Sequence, residues 1–143
     1  MSRFFTLPEA ERLLPEVARL LNTLIQSKRE YEESSAELDV IKQSIALLGG
    51  TTPPRDRVAQ LRSRKDGSAR ALKTSFERIE EIGCQIKDLN IGLVDFPTLY
   101  HDQEVYLCWK LGEPEIGYWH HVADGFAGRR PIDPEFIAHH RSD

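Results

Sequence analysis

Only two cysteines, Cys84 and Cys108, occur among 143 residues, and there is no Cys-x-x-Cys. That excludes a disulfide-built scaffold and a zinc ribbon, and it fits a reducing compartment. No run of about 18 apolar residues exists, so no membrane span is expected. Met1 to Glu11 lack a basic stretch followed by an apolar core, so no secretory leader is expected and the location implied is cytoplasmic. Basic residues are not in excess: 19 Lys and Arg against 23 Asp and Glu leave a net charge of −4, which argues against a coat for nucleic acid. Aromatics are only 8%, yet with 40% hydrophobic residues they suffice for a packed core and argue against wholesale disorder. Neither an internal repeat nor a low-complexity segment is present, and the length suits a single domain over residues 1–143.

What is present begins with a capping box. The Thr6 hydroxyl can accept a first-turn N–H while Glu9 reaches back, and Pro8 sits where its missing N–H costs nothing. From there a seven-residue repeat runs in two rows. One is Ala10, Val17, Leu24, Tyr31, Leu38 and Ile45; the other is Leu13, Leu20, Ser27, Ser34, Ile41 and Leu48. Gly49-Gly50 supplies a stop, so a helix over about residues 7–48 is expected, with Pro15 as a potential kink. After a short loop over Thr51 to Arg55, containing Pro53-Pro54, helical spacing resumes at Asp56. Its rows are Val58, Lys65, Leu72, Ile79 and Leu61, Ser68, Ser75, Ile82, with Phe76 beside them. Gly83 suggests the end, and Gly67 inside weakens this helix by about 1 kcal/mol relative to alanine. A short loop between two long amphipathic helices makes an antiparallel hairpin, here residues 7–82.

Charge supports that pairing. Glu9 to Lys42 hold eight acids and five bases, and Arg55 to Arg78 hold eight bases and three acids. Folding at the loop is expected to set Glu32, Glu33 and Glu37 near Arg70, Lys73 and Lys65. Such exposed pairs set orientation more than stability. The first half of helix one carries a wider stripe, Leu13, Leu14, Val17, Leu20, Leu21, Leu24 and Ile25. It requires a cover besides the second helix.

That cover is expected from residues 84–123, where the period changes to two. Val105, Leu107, Trp109 and Leu111 alternate with Glu104, Tyr106, Cys108 and Lys110, the mark of a strand. Residues 91–96 precede it and 116–121 follow, with turns at His101-Asp102 and at 112–115. Three or four antiparallel strands are expected. With two tight hairpins, Val94, Phe96, Leu107, Trp109, Tyr118 and His120 share one face. Asp95, Tyr106, Cys108, Trp119 and His121 then share the other. A one-residue slip would exchange these sets. In the tail, residues 124–143, Asp133-Pro134 can cap and open a short helix. The fold class is α+β: a long antiparallel helical hairpin with a small C-terminal antiparallel sheet.

Several stretches are distinctive: 87–97 (KDLNIGLVDFP), 104–116 (EVYLCWKLGEPEI), Tyr118-Trp119-His120 and 125–131 (GFAGRRP). Together with 5–10 (FTLPEA), they resemble the bacterial "domain of unknown function 2203" family over nearly the whole chain. The resemblance implies a small cytosolic bacterial protein with a long helical N-terminal part. It implies no activity, cofactor or site. The family pattern often has Thr or Ser where Ile91 stands.

Between Asp88 and Asp124 seven acids face one base, Lys110, and three histidines lie in the same window. Carboxylate and imidazole suit a divalent metal. The candidate ligands are Asp95, Glu113 and His120, with His121 and Glu104 as further ones. Asp95 stands among Leu93, Val94 and Phe96, where an unpaired carboxylate is costly. The structural alternative is an Asp–His hydrogen bond that only orders the sheet. Glu113, in the turn, lies a strand length from His120, so Asp95 with His120 or His121 is the firmer half. Cys108 with His121 could imitate a nucleophile and base, though strand cysteines mostly pack. Trp109 and Trp119 are either a stacking platform or core. Arg129-Arg130 either bind an anion or answer the acidic sheet. Two functions follow: a non-enzymatic coiled-coil interaction module, acting as a homo-oligomer (a dimer) or on a protein partner through the hairpin, or a small metal-binding or metal-dependent hydrolytic protein. For the dimer, Leu14, Leu21 and Phe76 are the expected open flanks. Nucleic-acid binding through the basic second helix is a third, less supported by the net charge.

Overall fold

The computed structural model describes residues 3–49, 52 and 54–143. Gly50, Thr51 and Pro53, which belong to the expected helix stop and loop, lie outside the described residues. Helix α1 spans Leu7–Leu47 and α2 spans Arg55–Ile82, so two elements hold about half of the chain. Among the described residues no helix is long and apolar enough to cross a membrane.

The start of α1 is capped as its sequence requires. The Thr6 Oγ1 accepts from the Glu9 N–H at 3.3 Å, and the Thr6 N–H donates back to the Glu9 carboxylate at 3.3 Å. A further orphan donor of the first turn, the Leu7 N–H, donates to Nε2 of His140 at 2.9 Å. Pro15 lies inside α1 without ending it, its ring on the exposed side. At the far end of α2, Gly83 takes a φ of 100° and its N–H donates to the Ile79 carbonyl at 3.2 Å. The Arg3 guanidinium donates to the Ile82 carbonyl at 3.0 Å, satisfying a second terminal acceptor.

The chain forms two compact units: residues up to Leu21 together with Glu77–Asp143, and Asn22–Phe76. In the Asn22–Phe76 unit, α1 and α2 pair along the heptad rows. Leu24, Ser27, Ser34, Leu61, Ser68 and Ser75 are the buried positions there. The serines that interrupt the apolar rows are therefore part of the seam. The charge partners differ from the expected ones. Glu37 pairs with Arg57, through a 3.0 Å bond from Nε, while Lys65 lies 5.4 Å from the Tyr31 ring and Lys28 faces Glu32 within α1. Exposed ion pairs contribute too little to set the offset of two helices, so charge follows the register of the seam.

In the other unit, Ala10, Leu14, Val17, Leu20 and Leu21 are buried. The expectation that Leu14 and Leu21 are open flanks is thus corrected: both are buried within the single chain, and of the three only Phe76 stays half-exposed. The sheet has six strands, not three or four: β1 (Gln85–Asp88), β2 (Leu93–Tyr100), β3 (Gln103–Lys110), β4 (Tyr118–His121), β5 (Arg130–Pro131) and β6 (His140–Arg141). All pairs are antiparallel; the order is β1-β2-β3-β4-β5, and β6 also pairs with β2. Two-residue strands such as β5 and β6 carry no period, which is why alternation missed them. The edge of β2 away from β3 is covered in three pieces. They are β1 at Leu93–Asp95, the Phe5 N–H on the Pro97 carbonyl at 2.7 Å, and β6 at Leu99–Tyr100. N–H and C=O of one strand residue point the same way, so Pro97 turns its missing donor from β3 and costs that ladder nothing.

The β2–β3 turn is tight, with His101 and Asp102 at φ 50° and 63°, the twist a two-residue hairpin needs. It fixes Val94 opposite Trp109 and Phe96 opposite Leu107, as expected. The next connection, 111–117, is long and irregular, and β4 enters one residue out of the expected register. Leu107 faces Trp119, and Tyr106 faces His120. The slip exchanges the β4 sets. Trp119 and His121 join the face of Phe96 and Leu107, where Phe5 meets Phe96 edge-on at 5.4 Å. Tyr118 and His120 join the face of Asp95 and Cys108. On the first face the short helix α3 (Pro134–His139), capped by the Asp133 side chain on the Phe136 N–H at 2.8 Å, buries Phe136 against Trp119 and Tyr100.

Candidate functional sites

The displaced register of β4 assembles a buried cluster. Asp95 on β2 stands directly opposite Cys108 on β3, and His120 on β4 reaches the same spot on the diagonal. One ligand-type atom from each lies within 4.8 Å of the others, and all three residues are buried. The His120 Nε2 is 2.9 Å from Asp95 Oδ2, and its Nδ1 is 2.7 Å from the His121 carbonyl. A carbonyl only accepts, so Nδ1 carries a proton there. In the neutral ring Nε2 then holds its lone pair toward the carboxylate. The other carboxylate oxygen, Oδ1, is buried without a hydrogen-bond partner. Burial pushes the Asp95 carboxyl above its ordinary range against the pull of His120. Burial and the adjacent Asp95 push the Cys108 thiol up to about 12.

Of the residues singled out from sequence, Asp95 and His120 are brought together. Glu113 is elsewhere: it accepts two bonds from the Arg129 guanidinium nitrogen, at 2.7 and 3.0 Å, and one from the Lys110 N–H at 2.7 Å. Arg129 thus answers the acidic sheet. His121 packs against Trp119 on the opposite face, and Glu104 is exposed near the start of β3. His121 is therefore not beside Cys108 either, and the nucleophile–base arrangement does not form. Trp109 and Trp119 are core residues, 3% and 7% exposed. Cys108 joins Asp95 and His120 although strand cysteines mostly pack, and a countable signal marks it. A two-residue turn between Tyr100 and Gln103 fixes every β2–β3 pair, and Asp95 then falls on Cys108.

A second group of similar chemistry lies at the surface: His101 in the β2–β3 turn with Glu135 and His139 on α3, ligand-type atoms again within 4.8 Å. The third feature is a cleft of about 680 Å³ in the Asn22–Phe76 unit. It is lined by Leu38, Ile41, Ile45, Val58 and Ala59 with Asp39, Lys42, Arg55 and Arg62 around them.

No curated protein and no solved structure matches the chain. A family model does, that of "Uncharacterized conserved protein (DUF2203)", over residues 3–132, which include both long helices and the strands β1 to β5. The chain belongs to that family.

Proposed function

We propose that the protein is a non-enzymatic cytoplasmic interaction module whose hairpin tip pairs with a second copy of the chain. The observation that carries this is an apolar seam that continues beyond its own cover. Past Ser34 and Leu61, the rows go on through Leu38, Ile41, Ile45 and Val58, which stay half-exposed, while Leu47 and Leu48 are 86% and 70% exposed. Apolar area left in water forfeits about 25 cal/mol per Å² of burial, and contiguous patches of this kind mark contact surfaces. A second copy of the same seam is the occupant of matching chemistry. Around the cleft stand Asp39 and Lys42 on α1 and Arg55 and Arg62 on α2, and a two-fold axis that lays α1 of one protomer on α2 of its partner offers each Asp39 an arginine while the apolar rows meet.

Light scattering on the tagless chain tests this. The expected mass is twice the 16.4 kDa of one chain, falling to a single mass in Ile45→Glu with Leu48→Glu at unchanged helicity. A single mass at every concentration overturns it, as does a dimer indifferent to both substitutions.

A second reading, a small metal-binding protein, is favoured by the buried oxygen of Asp95 that has no partner. Enclosure of Asp95, Cys108 and His120 supports holding a metal rather than hydrolysis, because a catalytic centre keeps a position open to water. Metal analysis of chain purified without a histidine tag tests it; metal-free protein that takes up none on refolding with zinc rules it out.

A further inference from the structure

We infer that Cys108 joins Asp95 and His120 in a closed, charge-neutral zinc site bridging β2, β3 and β4. The inference deepens the metal reading above and rests on it.

Two acceptors face each other in this cluster. With the Nδ1 proton committed to the His121 carbonyl, Nε2 presents a lone pair to a carboxylate oxygen 2.9 Å away. Such a pair needs an electrophile between its members, either a proton or a metal ion. A proton satisfies Nε2 and Oδ2 and leaves Oδ1, on a side chain 1% exposed, with no donor but the weak S–H of Cys108 beside it. A zinc ion uses both oxygens. Nε2, Sγ and a two-oxygen carboxylate supply four donor atoms of the types zinc takes in proteins. The carbonyl on Nδ1 is the outer partner that metal-bound histidines usually have, and it fixes tautomer and ring together.

Charge agrees with the closed setting. As the sulfur–zinc bond forms, the Cys108 thiol gives its proton to solvent. One thiolate and one carboxylate then cancel the two charges of the ion, which lowers the cost of enclosing it. Cations stand to either side without entering: Lys87 lies 4.6 Å from the Tyr106 ring and Arg129 lies 4.0 Å from the Tyr118 ring. The geometry needs a small adjustment. With the carboxylate taking one corner through its two oxygens, bonds of about 2.0–2.1 Å at a roughly tetrahedral N–Zn–O angle set a nitrogen–oxygen distance of about 3.3 Å, so the 2.9 Å gap opens by roughly 0.4 Å. With its three residues buried, the site loads during folding or through opening of the four-residue β4, so exchange with a chelator is slow.

The experiment uses the full chain without a tag, in a His101→Ala, His139→Ala background that removes the surface group. Zinc content is measured after expression, and cobalt(II) replaces zinc by refolding. One equivalent of zinc is expected, held against chelator in the folded protein and released on unfolding. The cobalt form should show a sulfur-to-cobalt charge-transfer band in the near ultraviolet. Asp95→Asn and Cys108→Ser should each weaken zinc binding at least a hundredfold, and Cys108→Ser should abolish the band. Absence of zinc from the native protein together with no uptake on refolding overturns both this site and the metal reading. Zinc kept in Asp95→Asn or Cys108→Ser overturns this site and leaves metal binding intact. Should those variants not fold, the unsubstituted protein decides: a cobalt spectrum without the thiolate band removes Cys108 from the site.

Discussion

Replacing Phe136 with alanine tests whether the tail is an integral part of the core. Phe136 is 0% exposed and its ring packs at 5.0 Å on Trp119, 4.7 Å on Tyr100 and 5.3 Å on His140. Deleting a fully enclosed phenylalanine costs about 3–5 kcal/mol, part transfer and part cavity. A second loss follows, because His140 stacks on that ring while accepting the Leu7 N–H; freeing it adds about 1 kcal/mol for the hydrogen bond. The sum is a large share of the roughly 5–15 kcal/mol that holds a typical domain. Urea denaturation followed by circular dichroism measures it. Ile137→Ala is the internal control, since Ile137 is 52% exposed on the same short helix and should cost no more than about 0.5 kcal/mol. If both substitutions cost the same, the tail does not dock as described.

Gly67→Ala should stabilise by about 1 kcal/mol, because Gly67 lies within α2 and an added Cβ meets only the end of Arg70 at 3.9 Å; a lower melting temperature would show a close approach that the structure lacks. The Thr6 hydroxyl holds the Glu9 carboxyl below its ordinary range, so the cap's contribution is full at neutral pH and is lost as pH falls through the lowered value. Thr6→Ala should therefore cost about 1 kcal/mol near neutrality and less in acid, and an equal cost at both pH values refutes the linkage. Cys84 and Cys108 are buried, and burial pushes both thiols up to about 12. Thiol reagents should label them only after unfolding, and a compact oxidised form on non-reducing gels would contradict this.

The legible parts of the fold share one property: their signal repeats. The row Leu61, Ser68, Ser75 and Ile82 of α2 faces inward throughout, because a period sustained over about six turns tolerates a polar interruption, while Val58, Lys65 and Leu72 of the other row stay partly exposed. The β2–β3 register was readable because its turn has two residues and leaves no freedom. Where a connection is long, as at 111–117, parity is undetermined, and β4 fell to the other register. Cost arguments did better than spacing for the candidate site. Asp95 among apolar neighbours demanded a partner and has His120, whereas Glu113, chosen for its place in a turn, is satisfied by Arg129. The two-residue strands and the service of His140 to the first turn of α1 leave no trace in any local pattern.

That last contact has a consequence for synthesis on the ribosome. Leu7 and His140 are 133 residues apart, and translation at about 5–20 residues per second separates them by roughly 7–27 s. Residues 22–76 can pair as soon as they emerge. The first turns of α1, with Ala10, Leu14 and Val17, are made first, yet their cover over Glu77–Asp143 is made last. For those seconds the nascent chain carries an apolar helix end with no cap from His140 and no sheet to lie on. A ribosome stalled before residue 134 should hold a chain that proteases cut within residues 7–21, while the hairpin beyond resists.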